Sequence, residues 1–86
     1  MMPFEVVWTE QSKDSLNRLQ REDIIRIIRR VEAVKADPYR FLNKLVGERA
    51  WRLRVGDWRV LLDIDHEKNV LYVLEVGHRK NIYKNL

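Results

Sequence analysis

The chain contains no cysteine, which excludes a disulfide framework and any thiolate-bound metal. It has only two prolines and three glycines among 86 residues, and 45% of the residues are hydrophobic. Such a composition belongs to a folded globule, not a disordered segment. The longest unbroken apolar run, Val70-Leu71-Tyr72-Val73-Leu74, is far too short to span a membrane. Met1-Met2-Pro3-Phe4-Glu5 carries an early acid and no apolar stretch of the signal-peptide kind. Internal repeats, low-complexity tracts and linker-like stretches are also missing. These absences predict one soluble, cytoplasmic domain over residues 1–86, without membrane association. A chain of this length buries a little over ~60% of its unfolded surface, leaving no room for a separate ligand-binding lobe.

What the chain does have is positive charge. Seventeen lysines and arginines against thirteen acids give a formal net charge of +4, which favours a polyanionic or acidic partner.

The apolar periodicity predicts the elements. Phe4 to Trp8 is a β-branched opening strand. Thr9 reads as the N-cap of a helix reaching about Leu19 or Gln20, with Glu10 in its first turn and Leu16 and Leu19 inward. A second helix is expected after a break at Arg21-Glu22-Asp23. Ile24, Ile27, Ile28, Val31 and Val34 form its core stripe, and Asp37-Pro38 ends it. Tyr39 to Arg49 reads as a loop with a short strand around Lys44-Leu45-Val46. Two hairpin strands, Ala50–Val55 and Trp58–Asp65, and a third strand, Val70–Val76, complete the chain. The apolar run of that last strand predicts burial on both faces, with a loose turn or short helix after Gly77. The order β-α-α-β-β-β predicts an α+β fold: a largely antiparallel sheet with a helical pair on one face.

The hairpin is the most informative stretch. With Gly56-Asp57 as a two-residue loop, glycine first as a type II′ turn prefers, Val55 lies opposite Trp58 and Arg54 opposite Arg59. Alternation sends Trp51, Leu53, Val55, Trp58, Val60 and Leu62 to one face and Arg52, Arg54 and Arg59 to the other. Like charges directly opposite one another destabilise a sheet. An anion is therefore expected beside Arg54 and Arg59, with RNA phosphate the leading choice.

His78, Arg79 and Lys80, at the end of the last strand, can join those arginines on one concave face, followed by Tyr83. Cleavage of RNA through its own 2′-hydroxyl needs a base, cations for the developing phosphorane charge and an acid for the leaving 5′-oxygen. Arginine suits the second role because its planar fork meets phosphate oxygens bidentately. It is a poor proton donor, which leaves Tyr83 and His78 for proton transfer. Plainer readings exist for each residue. Arginines on a strand face are commonly solvated, His78 is an ordinary surface histidine, and Tyr83 covers the core edge. Trp51 and Trp58 have core parity. Asp63, Asp65, His66 and Glu67 sit in and beside a turn without metal-ligand spacing, and Arg26, Arg29 and Arg30 read as the solvent face of the second helix. No metal and no cofactor are expected.

Lys44 to Gly47, the stretch "WRLRVGDWRVLLDID" and the closing "VLEVGHRKNIY", in this order of elements, resemble the RelE/ParE superfamily of type II toxins. The resemblance covers nearly the whole chain. It implies that Arg52, Arg54, Arg59, Arg79 and Tyr83 stand at the RelE catalytic positions: Arg59 and Arg79 on the scissile phosphate, Arg52 and Arg54 on the backbone or transition state, and Tyr83 on the 2′-hydroxyl. His78 and Lys80 join Arg54 as expected RNA-binding residues. The chain departs from RelE where lysines are replaced by Arg52 and Ala50, and in a shorter spacing from Arg79 to Tyr83.

RelE-like members are ribosome-dependent endoribonucleases that cut mRNA in the A site. ParE-like members poison DNA gyrase without enzymatic activity. The resemblance thus implies a metal-independent mRNA interferase acting with the ribosome and neutralised by a cognate antitoxin in a hetero-oligomer. A ParE-like gyrase inhibitor is the alternative, and a degenerate toxin that retains only antitoxin binding is a further one.

Overall fold

Thr9 starts the helical part as a true N-cap: its hydroxyl accepts the Ser12 N–H at 3.2 Å. The computed structural model describes residues 3–47 and 49–85; Met1, Met2, Glu48 and Leu86 lie outside them. In chain order the elements are β1 (Glu5–Trp8), α1 (Glu10–Asn17), α2 (Arg21–Val34), α3 (Pro38–Phe41), β2 (Asn43–Lys44), β3 (Trp51–Val55), β4 (Trp58–Asp65), β5 (Val70–His78) and a closing 3₁₀ turn (Ile82–Asn85). The five strands form one sheet in the order β1-β5-β4-β3-β2, with β1 parallel to β5 and every other pair antiparallel. The expected α+β class is what the molecule adopts.

Several boundaries differ from expectation, each for a local reason. Helix α1 ends at Asn17, because Gln20 takes the N-cap position of α2 and Arg18 and Leu19 turn the chain between them. Arg21, Glu22 and Asp23 are no break but the first turn of α2, where two carboxylates complement the helix dipole. Ile27, Val31 and Val34 are fully buried, whereas Ile28 is exposed and borders a groove shared with Trp8 and Leu16. The segment expected as loop contains the single-turn α3, with Pro38 at its first position. The short strand lies at Asn43–Lys44, paired with Arg52 and Trp51.

The core lies between the helices and one sheet face, where Leu53, Val55, Val60, Leu62, Leu71 and Val73 meet Leu16, Ile27, Val31 and Val34. On the opposite face Tyr72 and Glu75 are only half-buried, so the apolar run of β5 does not mean equal cover on both sides. A bulge explains its pattern. Leu61 is opposite Glu75 but Leu62 is opposite Val73, so Leu74 is an extra residue in β5. Val73 and Val76 therefore both face the core. Backbone groups around the bulge are satisfied by α1: the Thr9 hydroxyl donates to the Val73 carbonyl at 2.8 Å, and the Ser15 hydroxyl accepts the Val76 N–H at 3.1 Å.

Candidate functional site

The β3–β4 hairpin has the register its turn chemistry implies: Val55 opposite Trp58, Arg54 opposite Arg59 and Arg52 opposite Leu61. Gly56 takes a positive φ of 59° while Asp57 does not, as a type II′ turn requires. Arg52, Arg54 and Arg59 consequently leave the sheet on the side away from the helices.

Arg54 and Arg59, opposite in register, have different surroundings. The Arg59 guanidinium folds back along the hairpin, donating from Nη1 to the carbonyls of Gly56 (2.7 Å) and Trp58 (2.8 Å). Arg54 is exposed and lines a cleft beside α2.

The C-terminal turn brings the tyrosine. Register places Gly77 opposite Arg59, and Ile82 is 2% exposed, lying so close over Gly77 that any side chain there would meet it. Ile82 anchors the 3₁₀ turn on the arginine side, and the next residue, Tyr83, sets its hydroxyl 3.5 Å from Nη1 of Arg52. Arg79 is tied to the hairpin tip: its N–H donates to the Asp57 carbonyl at 2.9 Å, and its Nε stands 3.6 Å from Asp57 Oδ1. The turn is thus held by Arg59 at Gly56 and by Arg79 at Asp57, and the Arg26 guanidinium of α2 lies against Gly56 as well.

His78 is not among them. It is opposite Trp58 and so shares the core parity of that residue, with the two rings edge to face at 5.6 Å. Its Nδ1 accepts the Lys80 N–H at 3.2 Å, which shapes the turn leading to Tyr83. The expectation that His78 shares the arginine face is corrected by the bulge, which shifts the phase of β5. Lys80 is exposed at the strand end. The acidic group at the β4–β5 turn is a turn: Asp65 Oδ1 accepts the N–H groups of Glu67 and Lys68, and His66 stacks on Tyr39. Among the described residues no three histidine or carboxylate side chains gather as a metal site, and no helix is long and apolar enough to cross a membrane.

The arrangement offers cationic donors on an open sheet face beside a phenolic hydroxyl, a set suited to an extended phosphodiester. Sequence reasoning missed Asp57, Gly77, Ile82 and Arg26 as organisers of this site. Only Gly77 carried a signal, since an isolated glycine in a strand often marks close approach of another segment.

This small α+β fold is shared with solved toxins. The model of the ParE toxin of type II toxin–antitoxin systems (parDE) matches residues 6–83. The chain belongs to this toxin family, within the RelE/ParE group. No curated protein matches it in sequence. Among solved structures, it is similar to a chain of the RelBE2 toxin–antitoxin complex from Mycobacterium tuberculosis, with 25% identity, 91% of this chain and 100% of that one covered, and a TM-score of 0.85. Two further likenesses bear on the fold alone. The E. coli RelE toxin, as a mutant in the free state, is 21% identical over 95% of this chain and 90% of its own, with a TM-score of 0.78. A YoeB/ParE toxin from Agrobacterium tumefaciens is 21% identical over 87% of this chain and 98% of its own, with a TM-score of 0.72.

Proposed function

We propose that this toxin is a ribosome-dependent endoribonuclease that cleaves mRNA in the A site, and that a cognate antitoxin holds it inactive in a hetero-oligomer. The observation that carries the reading is the Tyr83 hydroxyl at the Arg52 guanidinium, on the sheet face that also bears Arg59. In this reading the 2′-oxygen gives up its proton and attacks phosphorus, the bond to the 5′-oxygen breaks as that oxygen takes a proton from water, and a cyclic phosphate and a free 5′-hydroxyl result. Tyr83 acts on the 2′-hydroxyl, its phenolic oxygen standing beside the Arg52 guanidinium. Arg59 and Arg79 exchange their contacts with Gly56, Trp58 and Asp57 for the phosphate and offset the charge of the phosphorane. Arg54 and Lys80 hold the flanking backbone. His78, with its ring on Trp58, takes no part in the reaction.

The test is to map mRNA 5′ ends in a translating extract, with the protein and with an Arg59→Ala/Arg79→Ala variant. New ends in the ribosomal A site that vanish with the variant support the reading. A second reading, a ParE-like gyrase inhibitor without nuclease activity, is favoured by Ala50. It is 7% exposed and leaves no cation where RelE enzymes have a lysine. Inhibition of gyrase supercoiling without new mRNA ends would establish that reading instead.

A further inference from the structure

Between Gly77 and Tyr83 the chain doubles back, so that Ile82 lies over Gly77 and Tyr83 reaches Arg52. Arg79 gives its N–H to the Asp57 carbonyl across the hairpin, at 2.9 Å. The next two N–H groups both go to His78: that of Lys80 to its Nδ1, at 3.2 Å, and that of Asn81 to its carbonyl, at 2.9 Å. One residue thus closes the reversal with its backbone and with its side chain.

Asparagine and aspartate make Asx turns by accepting the backbone N–H two residues further on. Nδ1 of histidine is bonded to Cγ, as Oδ1 of asparagine is, and Lys80 is two residues beyond His78. The imidazole therefore does here what an asparagine side chain does elsewhere. A ring nitrogen that accepts a hydrogen bond carries no proton of its own, so the proton of the neutral ring belongs on Nε2. The ring is half-buried and stands edge to face with Trp58 at 5.6 Å, a contact that restricts its rotation.

We propose that His78 is a positioning residue for Tyr83: its unprotonated Nδ1 closes an Asx-like turn that seats Ile82 on Gly77 and sets the Tyr83 hydroxyl at Arg52. His78 itself touches neither RNA nor a reacting atom. It acts through the path of the chain, because the five residues from His78 to Ile82 close a loop back onto the strand that they leave. That Tyr83 serves in cleavage rests on the nuclease reading, whereas the hold of His78 on Tyr83 does not.

Two variants separate the acceptor from the ring. His78→Asn keeps an acceptor in the same place and loses the contact with Trp58, whereas His78→Phe keeps a ring on Trp58 and loses the acceptor. The readouts are the nuclear Overhauser contact between the Tyr83 ring and the Arg52 side chain, and hydrogen exchange of the Lys80 amide. His78→Asn is expected to keep the contact and the protection. His78→Phe is expected to lose the contact and to exchange about fivefold faster at Lys80, the scale of one neutral hydrogen bond. Retention by phenylalanine with loss by asparagine would make His78 a packing residue and overturn the proposal. The same outcome in both variants would overturn it too. A further measurement needs no variant to fold: the imidazole nitrogen resonances of the unaltered protein at neutral pH are expected to show the proton on Nε2, and a proton on Nδ1 overturns the proposal. Cleavage of mRNA is read separately, and should follow the Tyr83–Arg52 contact. If the contact follows the acceptor while the unaltered protein cuts no mRNA, the nuclease reading falls and this one stands.

Discussion

A Cβ built on Gly77 would stand 2.7 Å from Cδ1 of Ile82 and 3.3 Å from its Cβ. Ile82 fills the space that the glycine leaves, and Tyr83 follows it in the same short turn. Changing Gly77→Ala therefore forces the turn to lift from the sheet. Overpacking of this kind costs about 1–3 kcal/mol, but Tyr83 moves with the displaced turn. The expected outcome is a folded protein whose mRNA cleavage falls well beyond its loss of stability, checked by thermal unfolding beside single-turnover cleavage. Wild-type cleavage by a stable variant would show that the 3₁₀ turn does not position the tyrosine.

Tyr83→Phe keeps the ring and removes the hydroxyl that meets Arg52. A group that moves a proton in the transition state typically contributes 10²–10⁴-fold. A fall in cleavage rate of about 10²-fold or more is expected, with little change in unfolding temperature. A drop in stability matching the drop in rate would make Tyr83 a packing residue.

Asp57 restrains Arg79 across a 3.6 Å ion pair on the surface. Exposed pairs of this kind contribute about 0–1 kcal/mol, so Asp57→Asn leaves the fold almost unchanged. It also removes a negative charge from the middle of the cationic group. Tighter binding of a single-stranded RNA is expected by fluorescence anisotropy, with a steeper dependence on salt. Weaker binding would mean that the ion pair orients Arg79 and does not hold it back.

Gly56 answers two demands at once. Its φ is 59°, and the Arg26 guanidinium atoms lie 2.8–3.0 Å from where a Cβ would stand. Gly56→Ala is expected to destabilise the protein by about 1–2 kcal/mol through the backbone alone. Denaturant unfolding of Gly56→Ala with and without Arg26→Ala separates the two. The arginine change should recover only the steric part, and full recovery would argue against backbone strain.

The hairpin was legible because its register follows from turn chemistry and alternation, both local. Ile27, Val31 and Val34 were legible for the same reason, through helical period. Helix α3 and strand β2 were not: a single turn and a two-residue strand have too little periodicity to read, and β2 exists by virtue of its pairing with β3. The face of His78 was illegible because it depends on an extra residue, Leu74, whose neighbours are satisfied by Thr9 and Ser15 far upstream. Arg52, Arg54, Arg59 and Tyr83 could be nominated from the sequence. The cleft that Arg54 shares with α2 follows from helix placement, which no local pattern encodes.

Were Leu74 paired opposite Leu61 instead of bulged, the antiparallel count from Leu62 and Val73 would run on unbroken. Gly77 would then be opposite Trp58 on the helical side, and Val76 would be opposite Arg59. The floor on which Ile82 rests would be gone, and His78 would change sides. A single inserted residue thus acts as a phase setting for the C-terminal end of the chain. The Ser15 hydroxyl, which accepts the Val76 N–H across 61 positions of sequence, helps keep that phase, so the first helix contributes to a site it never touches.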